Sequence, residues 1–332
     1  MLARGIYDLA MRTLVTGAAG FIGSRLAERL LDEGHMVRGI DRFSDFYEPA
    51  RKRANAERLS AREGFELVDG DICEIALGEA LDGTEVVFHL AAQPGVRTSW
   101  GAEFDLYLRD NVLATQRLLE AARQGGVERV VFASSSSIYG DAESYPTSED
   151  ATPQPISPYG VTKLAGEHLC RLYGRQFGLS TVALRYFTIF GPGQRPDMAF
   201  ARFIDAGLEG RPLEVFGDGR QERDFTYVDD AVAATVAAGE RGTSGEVYNV
   251  AGGARASVLD VIEVLGSAFG RGLEVRHEGA APGDVRQTGA DTSKARRDLG
   301  FEPRVPLEAG LQLQVDARAA GVAPPQDPVA GS

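Results

Sequence analysis

The chain has 332 residues, 43% of them hydrophobic, enough for one large α/β unit or two unequal lobes. A formal net charge of −13 disfavours nucleic acid and anionic membrane as partners, while leaving room for an anionic ligand met by local arginines. The two cysteines, Cys73 and Cys170, suggest no disulfide framework, and the four isolated histidines have no metal-ligand spacing, so no metal is expected.

No apolar run reaches membrane-spanning length and no signal peptide is evident, so a cytoplasmic enzyme is the expectation. Residues 1–10 precede the first strand, either as an extension or as residues upstream of a start at Met11.

Residues 12–16 read as a parallel strand, followed by Gly17, Gly20 and Gly23 and by an amphipathic helix from Phe21 to Leu31. Glycines at that spacing allow a tight turn, close backbone approach to a pyrophosphate and close helix packing. The helix start, with Phe21 and Ile22, offers N–H groups and a positive dipole end to phosphates. A second strand, Met36 to Ile40, ends at Asp41, placed to bind the adenosine ribose hydroxyls and to repel a 2′-phosphate. NAD is therefore favoured over NADP, although the adjacent Arg42 weakens the choice. A charged, helical stretch follows Pro49, then a third strand from Phe65 to Val68. The fourth, Glu85 to Leu90, holds His89 as a packed core residue and runs into Ala91, Ala92 and Gln93.

Residues 103–124, containing Asn111, and 160–177 read as long helices. Between them the fifth strand, Val130 to Ala133, breaks into four serines, and a sixth runs from Thr181 to Tyr186. This alternation predicts a doubly wound parallel Rossmann sheet of the α/β class, whose ligands sit beyond the strand carboxyl ends. The glycine loop, Asp41, the Ala91–Ala92 turn, the serines and Thr188 all fall there.

Beyond residue 188 the pattern becomes irregular. Short strands (Leu213 to Phe216, Val247 to Val250, Leu273 to His277) alternate with helices near Ala199–Glu209, Val228–Gly239 and Ser257–Phe269. The reading is a dinucleotide-binding unit over 1–187, a smaller substrate lobe over 188–317 and a flexible Ala/Gly/Pro-rich tail over 318–332. The helix near 228–239 is expected to return to the first unit.

The chemistry centres on Ser157-Pro-Tyr-Gly-Val-Thr-Lys163. Four-residue spacing puts Tyr159 and Lys163 on one helix face, where an ammonium lowers a phenol pKa towards that of a usable base. Taken alone, the pair is more often a surface Tyr and Lys at chance spacing. Taken with Thr13-Leu-Val-Thr-Gly-Ala-Ala-Gly-Phe-Ile-Gly23 and Arg129-Val-Val-Phe-Ala-Ser-Ser-Ser-Ser-Ile-Tyr-Gly140, it resembles the extended short-chain dehydrogenase/reductases that act on nucleotide sugars. The resemblance spans roughly residues 11 to 315.

That resemblance implies a catalytic set of Tyr159, Lys163 and Ser135, with Ser134 as the competing serine. It implies NAD contacts from Asp71, Ile72, Leu90, Ala91, Ala92, Gln93, Asn111, Ala133 and Tyr186, besides the glycine loop and Asp41. A homodimer through the two long helices is implied as well. Thr188 with Arg195-Pro-Asp-Met-Ala199 resembles the UDP-glucuronate 4-epimerases, in which Arg195 would meet the sugar carboxylate and Ser136, Ser137 and Thr188 would add hydroxyls. Sister enzymes with dehydratase or decarboxylase activity carry acids where Ser136 and Ser137 stand. For the nucleotide, Arg223 and Arg286 are the diphosphate candidates, Phe216 a uracil platform and Asp284 a nucleoside contact. Arg195 is equally a surface arginine by its loop alone, and Phe216 equally a core aromatic. Epimerases of UDP-glucose or UDP-N-acetylglucosamine, and an NAD-binding regulatory protein without turnover, are the alternatives.

Overall fold

The computed structural model describes residues 10–279, 283 and 285–321. Six strands lead the chain: β1 (Arg12–Thr16), β2 (Met36–Asp41), β3 (Phe65–Asp69), β4 (Val86–His89), β5 (Arg129–Ser135) and β6 (Ser180–Tyr186). Among them lie helices α1 (Phe21–Asp32), α2 (Pro49–Ser60), a short α3 (Leu77–Ala80), α4 (Phe104–Tyr107), α5 (Ala114–Gly125) and α6 (Pro158–Phe177). All neighbouring strands are parallel. Their order, β3-β2-β1-β4-β5-β6, is that of a doubly wound dinucleotide-binding sheet.

The strands read as continuous apolar runs because both faces are covered. Successive residues alternate between two cores. Val15, Val86, Phe88 and Val131 join one core, shared with Leu26, Ala27 and Leu30 of α1, whereas Leu14, Val87, Val130 and Phe132 join the other, with Leu118 and Leu119 of α5 and Cys170 and Tyr173 of α6.

The second half comprises β7 (Ile189–Phe190), α7 (Ala199–Glu209), β8 (Leu213–Phe216), β9 (Glu222–Tyr227), α8 (Val228–Arg241), β10 (Val247–Val250), β11 (Ala254–Ser257), α9 (Val258–Phe269), β12 (Val275–Glu278), α10 (Ser293–Leu299) and α11 (Leu307–Ala319). Helix α8 packs on α1 and on β4, β5 and β6. Strand β10, expected in the smaller lobe, instead extends the large sheet by pairing parallel to β6 (Val247 opposite Ala183 through Val250 opposite Tyr186). Its four residues are all buried, and an edge position beside β6 satisfies that run. Outside the large sheet, the second half forms the sheet β11-β9-β7 and the pair β12-β8. Helix α11 runs through Ala319, past the point where the tail was expected to begin; residues 1–9 and 322–332 lie outside the described residues.

Candidate active site

A cleft open to solvent lies at the carboxyl ends of the sheet strands. Its floor is the turn after β1. Gly17 adopts φ 70°, a conformation side chains disfavour, and a Cβ on Gly23 would lie 2.0 Å from the Gly17 carbonyl oxygen. The turn therefore folds tightly onto the start of α1, where no side chain caps the first N–H groups. Thr16 ties this floor to the next strand: its hydroxyl accepts from Leu90 N (3.1 Å) and Ala91 N (3.0 Å) and bonds His89 Nδ1 at 2.8 Å. His89 also meets Thr115 at 3.0 Å, and burial pushes its imidazole down to about 3, so it is a neutral core residue.

The buried Asp41 carboxylate accepts from Ala19 N (3.1 Å) and Phe43 N (2.8 Å). Side chains present fit a dinucleotide: a side-chain-free cradle, an open helix start, and an acid ending β2. Gly17, Gly20, Phe21, Ile22, Gly23, Asp41, Asp71, Ile72, Leu90, Ala91, Ala92, Gln93, Ala133, Tyr159, Lys163 and Tyr186 all line this one cleft. Asn111 does not. It lies in a π-helical turn, Leu108–Leu113, between α4 and α5, and its amide grips the Gln93 backbone (N to Oδ1 2.7 Å, Nδ2 to O 3.0 Å) and Thr162 (3.0 Å). Its geometry is that of a clamp on the Ala91–Gln93 turn.

Helix α6 presents the proposed catalytic pair. Ser157 caps it by accepting from Gly160 N (3.1 Å), and Pro158 stands in the first turn. Gly166 lets it sit close to the sheet, since a Cβ there would lie 2.3 Å from the Phe132 ring. Lys163 is 4% exposed; its ammonium donates to the Ala133 carbonyl at 2.8 Å, and burial lowers its pKa to about 8. The ammonium stands 5.9 Å from the Tyr159 ring centroid.

Tyr159 differs from the sequence expectation. Desolvation pushes its phenol up, and the opposing influences are a hydrogen bond with Ser135 and the charge of Arg195, not the Lys163 ammonium, which is turned to Ala133. The two serines separate clearly. Ser134 donates to the buried Glu167 at 2.5 Å, and Glu167 in turn pairs with Arg185 at 2.8 Å, whereas Ser135 stays beside the phenol.

Arg195 reaches the same cleft from the loop after β7. Its fork, Nε and Nη2, is held by Asp197 at 3.0 Å on both arms, and its guanidinium carbon lies 5.7 Å from the Phe46 ring centroid.

Residues 13–251 match the NAD dependent epimerase/dehydratase family. The chain belongs to that family. A relative from Bacillus subtilis, named an uncharacterized UDP-glucose epimerase, is 45% identical across 92% of this chain and 97% of its own. The UDP-glucuronate 4-epimerase of Thermodesulfobacterium geofontis is 39% identical across 91% of this chain and 94% of its own. The crystal structure of the UDP-glucuronic acid 4-epimerase from Bacillus cereus, in complex with UDP-glucuronic acid and NAD, superposes with a TM-score of 0.91 at 45% identity, covering 93% of this chain and 99% of that one.

For a member of this epimerase/dehydratase family, the remaining candidates are more dispersed. Ser136 and Ser137 form the 3₁₀ turn after β5, and Ser137 N donates to Ser135 Oγ at 3.1 Å. Thr188 joins β6 to β7. Arg223 on β9 and Arg286 lie on adjoining segments, because Glu222 N donates to the Arg286 carbonyl at 3.1 Å. Arg286 pairs with Asp218 at 2.9 Å. Phe216 is half-buried, with the Arg97 guanidinium 4.2 Å from its centroid. Asp284 lies outside the described residues. Sequence reasoning missed Phe46, Tyr47 and Lys52, which line the cleft from the segment after β2, and Asp110 in the π turn. A charged segment directly after Asp41 was the available signal.

Proposed function

We propose that the protein interconverts UDP-glucuronate and UDP-galacturonate through a transient 4-keto sugar, with NAD as resident cofactor. The observation that carries this reading is one cleft lined by Tyr159, Lys163 and an arginine, Arg195, whose charge acts on the phenol. An arginine facing the reacting sugar suits a carboxylate at C6.

In this reading Tyr159 accepts the proton of the 4-hydroxyl, Ser135 shares the hydrogen bond to that oxygen, and Tyr159 returns the proton to O4 once the turned ketone is reduced on its opposite face. NAD, when bound, would supply the hydride acceptor and donor and be regenerated in place. Lys163 adds positive charge behind the site and fixes the β5 carboxyl end through Ala133. The 4-keto acid is a β-keto acid and loses carbon dioxide when its carboxylate bond aligns with the ketone. Arg195, with hydroxyls from Ser136, Ser137 and Thr188, would hold that torsion out of alignment. Ser136 and Ser137 are not acids, which disfavours the sister eliminations. Arg223, Arg286, Phe216 and Asp284 are assigned to the UDP portion.

Asp197 on the Arg195 fork favours a second reading, a neutral UDP-hexose as substrate, because the guanidinium is already neutralised. Incubation with UDP-glucuronate and UDP-glucose separately, followed by NMR of the products, tests the two. Conversion of the acid sugar supports the first; turnover of UDP-glucose alone selects the second.

A homodimer fits the apolar residues exposed along the two long helices, Leu108, Leu113, Val161 and Leu172. Among the described residues no helix is long and apolar enough to cross a membrane. A cytoplasmic site of action remains part of this proposal.

A further inference from the structure

Arg42 follows the acid that ends β2, the place from which an arginine accommodates the 2′-phosphate of NADP. Left free, it would partly offset Asp41 and admit either dinucleotide. The structure holds it otherwise. Its Nη1 donates to Asp71 Oδ2 and Asp110 Oδ1, both at 2.9 Å, and its Nη2 to Asp110 Oδ2 at 2.5 Å. Arg109 closes the ring from the far side, with Nη1 donating to the same Asp71 oxygen (2.8 Å) and the same Asp110 oxygen (3.0 Å), and Nη2 to Glu74 (2.7 Å). Two guanidinium groups thus face three carboxylates, leaving no excess positive charge for an incoming phosphate. Both aspartates are largely buried, with side chains 14% and 10% exposed.

The ring is rigidly placed. Asp71 is pinned by Cys73 N on its other oxygen at 2.7 Å. Asp110 sits in the π turn that also carries Asn111, itself clamped to Gln93. Phe43, directly after Arg42, takes φ 51°, unusual for a bulky residue, with its N–H on Asp41 Oδ1. The chain therefore reverses at once after Arg42.

We propose that Asp110, assisted by Asp71, is a cofactor-specificity residue: it sequesters Arg42 and so withholds that guanidinium from a 2′-phosphate. Discrimination against NADP then has two parts, repulsion by Asp41 and capture of Arg42 by Asp110. The inference rests on the NAD reading above.

The test is calorimetric titration of nucleotide-free protein with NAD⁺ and with NADP⁺. Wild type binds NADP⁺ at least ~100-fold more weakly than NAD⁺, as expected for a phosphate facing unpaired carboxylate charge. Asp110→Asn narrows that ratio at least ~5-fold by releasing a charge-assisted bidentate contact. Arg42→Ala in the Asp110→Asn background abolishes the narrowing, which separates a released arginine from the mere loss of a negative charge. Circular dichroism checks the fold, and Asp71→Asn, expected to act in the same direction, replaces Asp110→Asn if that variant does not fold. An unchanged ratio in the single variants, or a narrowing that survives Arg42→Ala, overturns the proposal. Wild type binding neither dinucleotide would instead overturn the NAD reading.

Discussion

Lys163→Met should make the protein more stable and inactive. The amine is 4% exposed, and its pKa falls from 10.5 to about 8. At a factor of ten per pH unit, holding that charge in the folded state costs roughly 3 kcal/mol. Methionine fills a similar volume without charge. It leaves the Ala133 carbonyl without the Lys163 donor, a loss of about 1 kcal/mol. The net expectation at pH 7 is a gain of about 2 kcal/mol, with loss of turnover. The pH dependence identifies the cause. Between about 8 and 10.5 the unfolded wild type holds a proton that the folded protein lacks, so wild-type stability rises with pH across that window. Below about pH 8 both states are charged and the penalty is constant. The gap between variant and wild type is thus full at pH 7 and closes towards pH 10.5. Urea unfolding of both nucleotide-free proteins, followed by tryptophan fluorescence and circular dichroism, measures it. A variant less stable than wild type at pH 7, or a gap that does not change with pH, refutes the reasoning.

Tyr159→Phe should lower kcat at least ~10²-fold through loss of the general base, with NAD⁺ binding retained in equilibrium titration. Arg195→Ala should weaken UDP-glucuronate more than UDP-glucose by ~2–4 kcal/mol, and should raise the fraction of turnovers giving a UDP-pentose, read by product NMR. His89, buried and neutral with its pKa near 3, should contribute an acid-sensitive loss of stability. The unfolded chain takes up a proton below about 6.5 that the folded one refuses, so stability falls as pH drops from there towards 3 by roughly 1 kcal/mol per pH unit; His89→Asn should flatten the slope by one proton in acid titration.

Local pattern carries the large sheet because each strand is buried on both faces, so Leu14, Val15 and their neighbours appear as unbroken apolar runs. The same logic misassigns Val247–Val250. A four-residue run, Val-Tyr-Asn-Val, has no feature telling which sheet it joins, and its partner β6 is distant in sequence. The cleft residues beyond β1, β2 and β4 are legible because strand carboxyl ends converge by topology. Asn111 is legible as a special residue, but its role as a clamp depends on a π turn that no periodicity reveals. The Tyr159 and Lys163 pair illustrates the remaining limit. Spacing gives the shared helix face, while the partner of the ammonium, the Ala133 carbonyl, comes from another strand. Likewise Arg195 and Asp197 stand two residues apart in the loop, yet only the fold of that loop gives the fork between them.

Epimerisation by this route requires a hydride to leave C4 and return to it within one binding event. UDP-glucuronate carrying deuterium at C4, incubated with purified protein and no added dinucleotide, tests this directly. The expected product is UDP-galacturonate that keeps the deuterium at C4, without lasting NADH absorbance. Replacement of that deuterium by solvent hydrogen, or accumulation of one NADH per sugar consumed, would contradict it.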